Sequence, residues 1–215
     1  MYLSRIELSM NSPAARKAVS SPAVMHASVE YCFAGDNGLL PDREAHNRKL
    51  WRLDQLGKKL YLLMLSPEKP DFAHFSEQYC EEGIRGETRD YEPLLSSIRG
   101  GQVWRFRLRG NAVHSVTEEK GRRGKVYAHV TAEQKRGWLI KKAAANGFTV
   151  GADSFDVVEI DPMRFWRDRP VTLGVAVFEG TLTVTEPDLF KRALTHGIGR
   201  AKAYGCGLLT IANRK

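Results

Sequence analysis

Polar and hydrophobic residues alternate from Tyr2 to Met10, with Leu3, Arg5, Glu7 and Ser9 on one side and Tyr2, Ile6 and Leu8 largely on the other. Period-two alternation of this kind predicts an edge or half-buried strand. At Ser21-Pro22 the period changes. A serine N-cap followed by a proline at the first helical position opens a helix whose Met25, Val29, Cys32 and Phe33 share one face, and Gly35, Asp36, Asn37 and Gly38 close it. Lys49 to Leu53 and Lys59 to Leu65 read as two strands around a Gln55-Leu56-Gly57 turn, the second a continuous apolar run suited to a sheet centre. Phe72 to Cys80 predicts a short helix, and Gly83 to Pro93 is charged and rich in breakers.

The pattern restarts after Ser97, where a domain boundary is expected, giving units 1–97 and 98–215. Val103 to Arg109 alternates again, sending Trp104, Phe106 and Leu108 to one face and Arg105, Arg107 and Arg109 to the other. A hydrophilic loop from Glu118 to Lys125 precedes a helix with a capping-box pattern, Thr131 and Gln134, and an Asn146-Gly147 stop. Phe155 to Ile160 and Val171 to Val184 read as strands on either side of an Arg-rich loop, Asp161 to Pro170. Pro187 opens a last helix ending near His196, before a glycine-rich loop and a short strand, Leu208 to Ile211. Each half is thus a β-α-β-β-α-β unit, less clearly so in the first half. The expected class is α+β with two tandem ferredoxin-like domains, the plan of the RRM, without that module's aromatic RNP1 signature.

Composition narrows the function classes. Hydrophobic residues make up 42% of the 215, no window approaches an unbroken membrane span, and the first residues lack the pattern of a secretory signal, so a cytoplasmic protein is expected. Cys32, Cys80 and Cys206 are scattered and odd in number, which supports neither a disulfide framework nor a local zinc site. Charge is uneven: residues 1–100 hold 13 basic and 14 acidic side chains, residues 101–215 hold 20 and 11. A net +9 on the second half against −1 on the first points to a polyanion partner, because clustered cations release condensed counterions from phosphates.

Candidate chemistry follows that charge. Gly197, Gly199, Gly205 and Gly207, with Arg200 and Lys202 between them, predict a loop whose backbone N–H groups a phosphate could approach, although it is neither a Walker A nor a GxGxxG turn. Sharp turns before a terminal strand explain the same glycines equally well. Arg105, Arg107 and Arg109 form a guanidinium ladder suited to the phosphates of a helical RNA, or an ordinary exposed strand face. Arg164, Arg167 and Arg169, interleaved with Phe165 and Trp166, join charge to stacking surface. His26, at the edge of the apolar stripe and one turn from Glu30, is the histidine best placed for proton transfer. No HExxH and no acidic cluster suggests a bound metal.

The glycine-rich end, read with Ala176-Val177-Phe178-Glu179-Gly180-Thr181-Leu182, with Arg105-Phe106-Arg107-Leu108-Arg109-Gly110-Asn111, with the opening Met1-Tyr2-Leu3-Ser4 and with the Met25-His26 pair, resembles the CasE (Cse3) family of subtype I-E CRISPR systems. The matches span nearly the whole chain in the family's order. The resemblance implies two ferredoxin-like domains that bind the stem-loop of a CRISPR repeat RNA. It implies cleavage at the base of the stem, with His26 acting, no metal or other cofactor, and a 2′-hydroxyl as nucleophile. It also implies retention of the product hairpin within the Cascade complex, among its other subunits. Two positions depart from the family: Ala23 stands where some members have tyrosine and Tyr31 where a basic residue is expected, which makes Tyr31 a second catalytic candidate.

Overall fold

Strand β1, Tyr2–Leu8, buries Ser4, Ile6 and Leu8 and turns Arg5 outward, as its alternation requires. The computed structural model describes residues 1–34, 48–116, 124–166 and 169–213. After β1 come helices α1, Pro13–Ser20, and α2, Pro22–Tyr31; strands β2, Leu50–Leu56, and β3, Lys59–Ser66; helix α3, Ala73–Tyr79; strand β4, Glu87–Asp90; and helix α4, Glu92–Ser97. The sheet order is β2-β3-β1-β4, with β1 antiparallel to both β3 and β4. Ile6, Leu8, Met25, Val29, Trp51, Leu62, Met64 and Phe75 pack between this sheet and its helices.

Two features of this half differ from the sequence expectation. Helix α1 is additional. It is short and its buried residues are only Ala15 and Ala18, so no stripe of large apolar residues announces it, but Ser12 Oγ caps it by accepting from the N–H of Ala15 at 3.3 Å. Ser21, expected as an N-cap by its side chain, makes no such bond; it is the joint at which α1 ends and α2 begins. The breaker-rich stretch from Gly83 to Pro93 supplies β4 and the start of α4, because β1 offers it a ladder of partners from Tyr2 to Arg5.

The second half contains β5, Val103–Asn111; β6, Val113–Val116; β7, Lys125–Ala128; α5, Ala132–Ala144; β8, Phe148–Thr149; β9, Phe155–Trp166; β10, Pro170–Val184; α6, Pro187–His196; a 3-10 turn, Lys202–Tyr204; and β11, Leu209–Ala212. Its sheet runs β11-β5-β10, and β10 carries β9 and the short β8 on its other side. The four strands β5, β9, β10 and β11 under α5 and α6 repeat the edge-centre-centre-edge plan of the first half, so the architecture is two tandem ferredoxin-like units. The capping box of α5 is formed by both Thr131 and Gln134. Trp138 of α5 stacks on Phe178 of β10, with ring centroids 5.7 Å apart, and fixes the helix to the sheet.

The Arg-rich segment is a correction. It is not a loop: Asp161–Trp166 continues β9, pairing with Pro170–Val175 of β10. Met163 and Phe165 are partly buried while Pro162, Arg164 and Trp166 are exposed, so the period-two pattern runs on through the charges. Pro162 is tolerated because β9 is an edge strand whose missing N–H faces no neighbour. The antiparallel β6–β7 pair is a further element beyond the sequence expectation. Among the described residues no helix is long and apolar enough to cross a membrane.

The two units share a core. Leu50, Leu65, Tyr91, Leu95 and Ile98 of the first half cluster with Trp104, Phe106, Leu108, Leu208 and Leu209 of the second. Across this seam Arg52 of β2, 2% exposed in its side chain, uses its whole guanidinium. Nε and one terminal nitrogen grip Asp54 at 2.7 Å each, and the terminal nitrogens also donate to the carbonyls of Arg107 and Leu208 and to Thr210 Oγ1, all at 2.9 Å.

Candidate nucleic-acid interface and catalytic site

His26 sits in the second turn of α2, its side chain 37% exposed. Its Nδ1 lies 3.8 Å from Glu30 Oε1, the i,i+4 neighbour, and Glu30 Oε2 accepts from Lys49 Nζ at 2.9 Å. Lys49 also lies over the Phe33 ring. Helix α2 packs against the 3-10 turn that carries Lys202 and Tyr204. Burial, and secondarily Arg48, hold the Lys202 ammonium below the usual lysine value. The histidine's helix thus meets cations from two directions: Arg48 and Lys49 at the entry to β2, and Lys202 from the glycine-rich loop. Arg48 and Lys49 were missed in the sequence, where they stand as a charged pair before a strand with nothing to tie them to α2.

Tyr31 is not part of this group. A five-residue step turns it about 140° from His26 on a helix. Its ring packs on His74, with centroids 4.6 Å apart, in a pocket between α2 and α3. Its ring thus faces α3 and not the group around Glu30 and Lys49.

The glycine-rich loop is brought to the same place, and its glycines have a packing use there. A Cβ at Gly205 would lie 2.8 Å from the Trp51 ring, one at Gly197 2.9 Å from Leu50, one at Gly199 3.2 Å from Trp138, and one at Gly207 2.9 Å from the Ile198 carbonyl. On that side each glycine faces protein, as sharp turns before a terminal strand require. The charges of the loop remain available: Arg200 is exposed, its backbone bridged to Asn111 at the end of β5, and Lys202 is half-buried.

The guanidinium ladder is divided. Arg105 is exposed. Arg107 is engaged at the seam by Asp54 at 3.2 Å and by Glu179, so it is not free for phosphate. Arg109 is half-buried and lines a crevice of about 70 Å³ with Met25, Trp51, Met163 and Tyr204, where α2 meets β5, β9 and the 3-10 turn. From β9, Phe165 packs on Tyr204 with centroids 4.6 Å apart, which ties the Arg164-bearing hairpin to the glycine-rich loop. Trp166 is 69% exposed beside it, and Arg169 is exposed. Arg167 lies outside the described residues. Among the described residues no three His, Cys, Asp or Glu side chains gather as metal ligands.

These features define a tandem ferredoxin-like protein in which a helix-borne histidine, flanked by a carboxylate and cations, opens beside a hairpin of exposed arginine and tryptophan. The chain belongs to the family described as CRISPR associated protein, whose model matches residues 1–213. It is 27% identical over 225 residues to the CRISPR-associated endoribonuclease Cse3 of Thermus thermophilus, covering 99% of this chain and 100% of that one. The structure of Thermus thermophilus Cse3 bound to an RNA representing a pre-cleavage complex superposes with a TM-score of 0.80 at 25% identity, covering 99% of this chain and 98% of that one. Cas6e from Escherichia coli K-12 shares the fold with a TM-score of 0.59 at 19% identity over 99% of both chains.

Proposed function

We propose that this chain is an endoribonuclease that binds the stem-loop of a CRISPR repeat in precursor RNA, cleaves at the base of the stem without a metal ion, and keeps the product hairpin as a Cascade subunit. The observation that carries the reading is the end-to-end likeness to Cse3, an endoribonuclease by name and RNA-bound in its solved structure. In the reaction, the ribose 2′-oxygen attacks the adjacent phosphorus and the bond to the 5′-oxygen breaks, leaving a 2′,3′-cyclic phosphate and a 5′-hydroxyl. One proton must leave the 2′-hydroxyl and one must reach the departing oxygen. The nucleophile is already in the substrate, so the protein need only align it, move protons and stabilise charge on the phosphorane. His26 is assigned to proton transfer, with the Glu30 carboxylate 3.8 Å from its Nδ1 to orient the ring. Lys49, Lys202 and Arg48 supply the positive field.

A second reading, a hairpin-binding subunit without activity, is favoured by Ala23 and Tyr31, which leave His26 without the side chains the family resemblance expects there. A single-turnover assay on the repeat hairpin encoded beside the gene separates the two. Cutting should persist in EDTA, stop with one 2′-deoxy nucleotide before the scissile phosphate, and slow about 10²- to 10⁴-fold in His26→Ala with affinity kept within a few fold. No cutting by the wild type would establish the inert scaffold. Cutting of the deoxy substrate would refute the mechanism.

A further inference from the structure

The β6–β7 hairpin carries a group of rings that the catalytic site does not use. The His114 and His129 rings lie 4.7 Å apart between centroids, tilted by 32°, and Tyr127 lies 6.0 Å from His114. Val126, Tyr127 and Val130 are exposed around them. Helix α5 faces this group with Lys135 and Lys141, both of which act on His129. Burial, then His114, Lys141 and Lys135, hold the His129 imidazole below the usual histidine value, and among the described residues no carboxylate is named with them. Lys135 is only 3% exposed, and burial alone pulls its ammonium below the ordinary lysine value, with no carboxylate pairing with it among the described residues. The covered stem fixes where the ammonium emerges, so its charge is held in place for an anion.

Two histidines this close could also hold a cation, but two lysines act on the same ring, so an anion fits the local charge. The group is continuous with the proposed RNA surface. The Arg200 backbone bridges to Asn111; the next residue, Ala112, accepts a hydrogen bond from the His129 N–H at 2.9 Å; and Ala128 packs on Gly174 of β10. We propose that His114, Tyr127, His129, Lys135 and Lys141 form an additional RNA contact that takes a backbone phosphate against the lysines and imidazoles, with Tyr127 as a stacking surface, so that RNA affinity strengthens as the histidines protonate. The inference rests on the repeat-RNA reading above. Because the phosphate raises both imidazole pKa values, binding takes up protons, and the gain appears as pH falls through and below the histidine range.

The test is hairpin affinity for the wild type, H114Q/H129Q and K135M at pH 6 and pH 8 and across a salt series, using the same repeat RNA. Between pH 8 and pH 6 the wild type should gain about three- to tenfold more affinity than H114Q/H129Q, the gain expected from up to one unit of pKa shift. K135M should lower the slope of log K against log salt by up to about one. H114Q/H129Q changes exposed or half-exposed side chains, so it decides the matter even if K135M fails to fold. If the double variant binds with the wild type's pH and salt dependence, the inference is overturned while tight hairpin binding leaves the proposed function standing. An apolar protein partner on Val126 and Val130 would give that same overturning result. Wild-type protein with no affinity for the hairpin would overturn both.

Discussion

Arg52→Met isolates the force that holds the two domains in register. The wild-type guanidinium donates all five of its N–H groups: two to Asp54 and three to acceptors of the second domain. Methionine keeps most of the volume and removes all five. Asp54, 6% exposed, would keep Arg107 at 3.2 Å as a cationic partner, so its charge is left half-compensated. Breaking a buried pair by removing one partner costs about 3–5 kcal/mol, and the surviving Arg107 contact places this case near the lower end, about 3 kcal/mol. The carbonyls of Arg107 and Leu208 lose a donor as well; Thr210 Oγ1 still reaches the Arg107 carbonyl at 3.3 Å, which softens one loss. Urea denaturation followed by tryptophan fluorescence reads the change, and the transition should broaden as the domains uncouple. Replacing both partners, Arg52→Met with Asp54→Leu, should recover much of the loss, because the buried charge is then gone. Cleavage should fall about 10- to 100-fold in Arg52→Met under conditions where the protein is still folded, because His26 and Lys202 lie on opposite sides of the seam. A single variant within about 1 kcal/mol of wild type would refute the argument, since it would mean the five bonds contribute no more than water would.

Gly205→Val combines a φ of +75° with a Cβ 2.8 Å from the Trp51 ring, so it should cost about 1–3 kcal/mol and lower Tm; an unchanged melt in circular dichroism would show the loop to be freer than its packing implies. Arg105→Ala should reduce the salt slope of hairpin binding by at most about one at unchanged stability, whereas Arg107→Ala should lower the urea midpoint, and the reverse outcome would return Arg107 to the RNA surface. Burial pushes the Cys32 thiol up to about 12 and Cys206 up to about 11, against an ordinary 9.0. These thiols should react slowly with a thiol reagent at pH 8 in the native protein and fast in denaturant. Stability from them is whole below pH 9 and lost as pH rises toward 11–12, because the unfolded chain ionises first; fast native labelling of both would contradict the burial.

Much of the fold was legible because single-residue patterns had one outlet. Trp104, Phe106 and Leu108 alternate with arginines, and only a strand with one buried face satisfies both sets; Thr131 and Gln134 at capping-box spacing have one helical use. What stayed hidden depended on partners distant in the chain. Residues Glu87–Asp90 are charged and short, and become a strand only because β1 presents an edge. The Arg-rich segment reads as a loop by composition, yet it alternates Met163 and Phe165 inward against a long β10 that no local rule predicts. His26 was visible as a border histidine. Its grouping with cations was not, because Arg48 and Lys202 are 154 positions apart. The arginine ladder was read from periodicity alone, which shows that the three side chains share a face but not that an acidic residue of another domain, Asp54, covers the middle one.

The glycine-rich loop shows why fold and site cannot be separated in this chain. Among the described residues, Ala201, with φ at +64°, is the non-glycine residue held in the left-handed region, at a cost of about 1–3 kcal/mol. That conformation opens the turn that points Lys202 toward Arg48 and sets Gly205 against Trp51, so the strain is offset by packing of the turn on α2 and β2. The same contacts fix the approach of Lys202 to the helix bearing His26. Loosening the turn would therefore spread the proposed catalytic group, and through the Phe165–Tyr204 contact it would also reach the arginine-rich hairpin, although that hairpin keeps its β9–β10 pairing. It follows that perturbations at the turn and at the Arg52 clamp should lower the cleavage rate more than hairpin affinity, while perturbations at Arg164 or Trp166 should do the opposite.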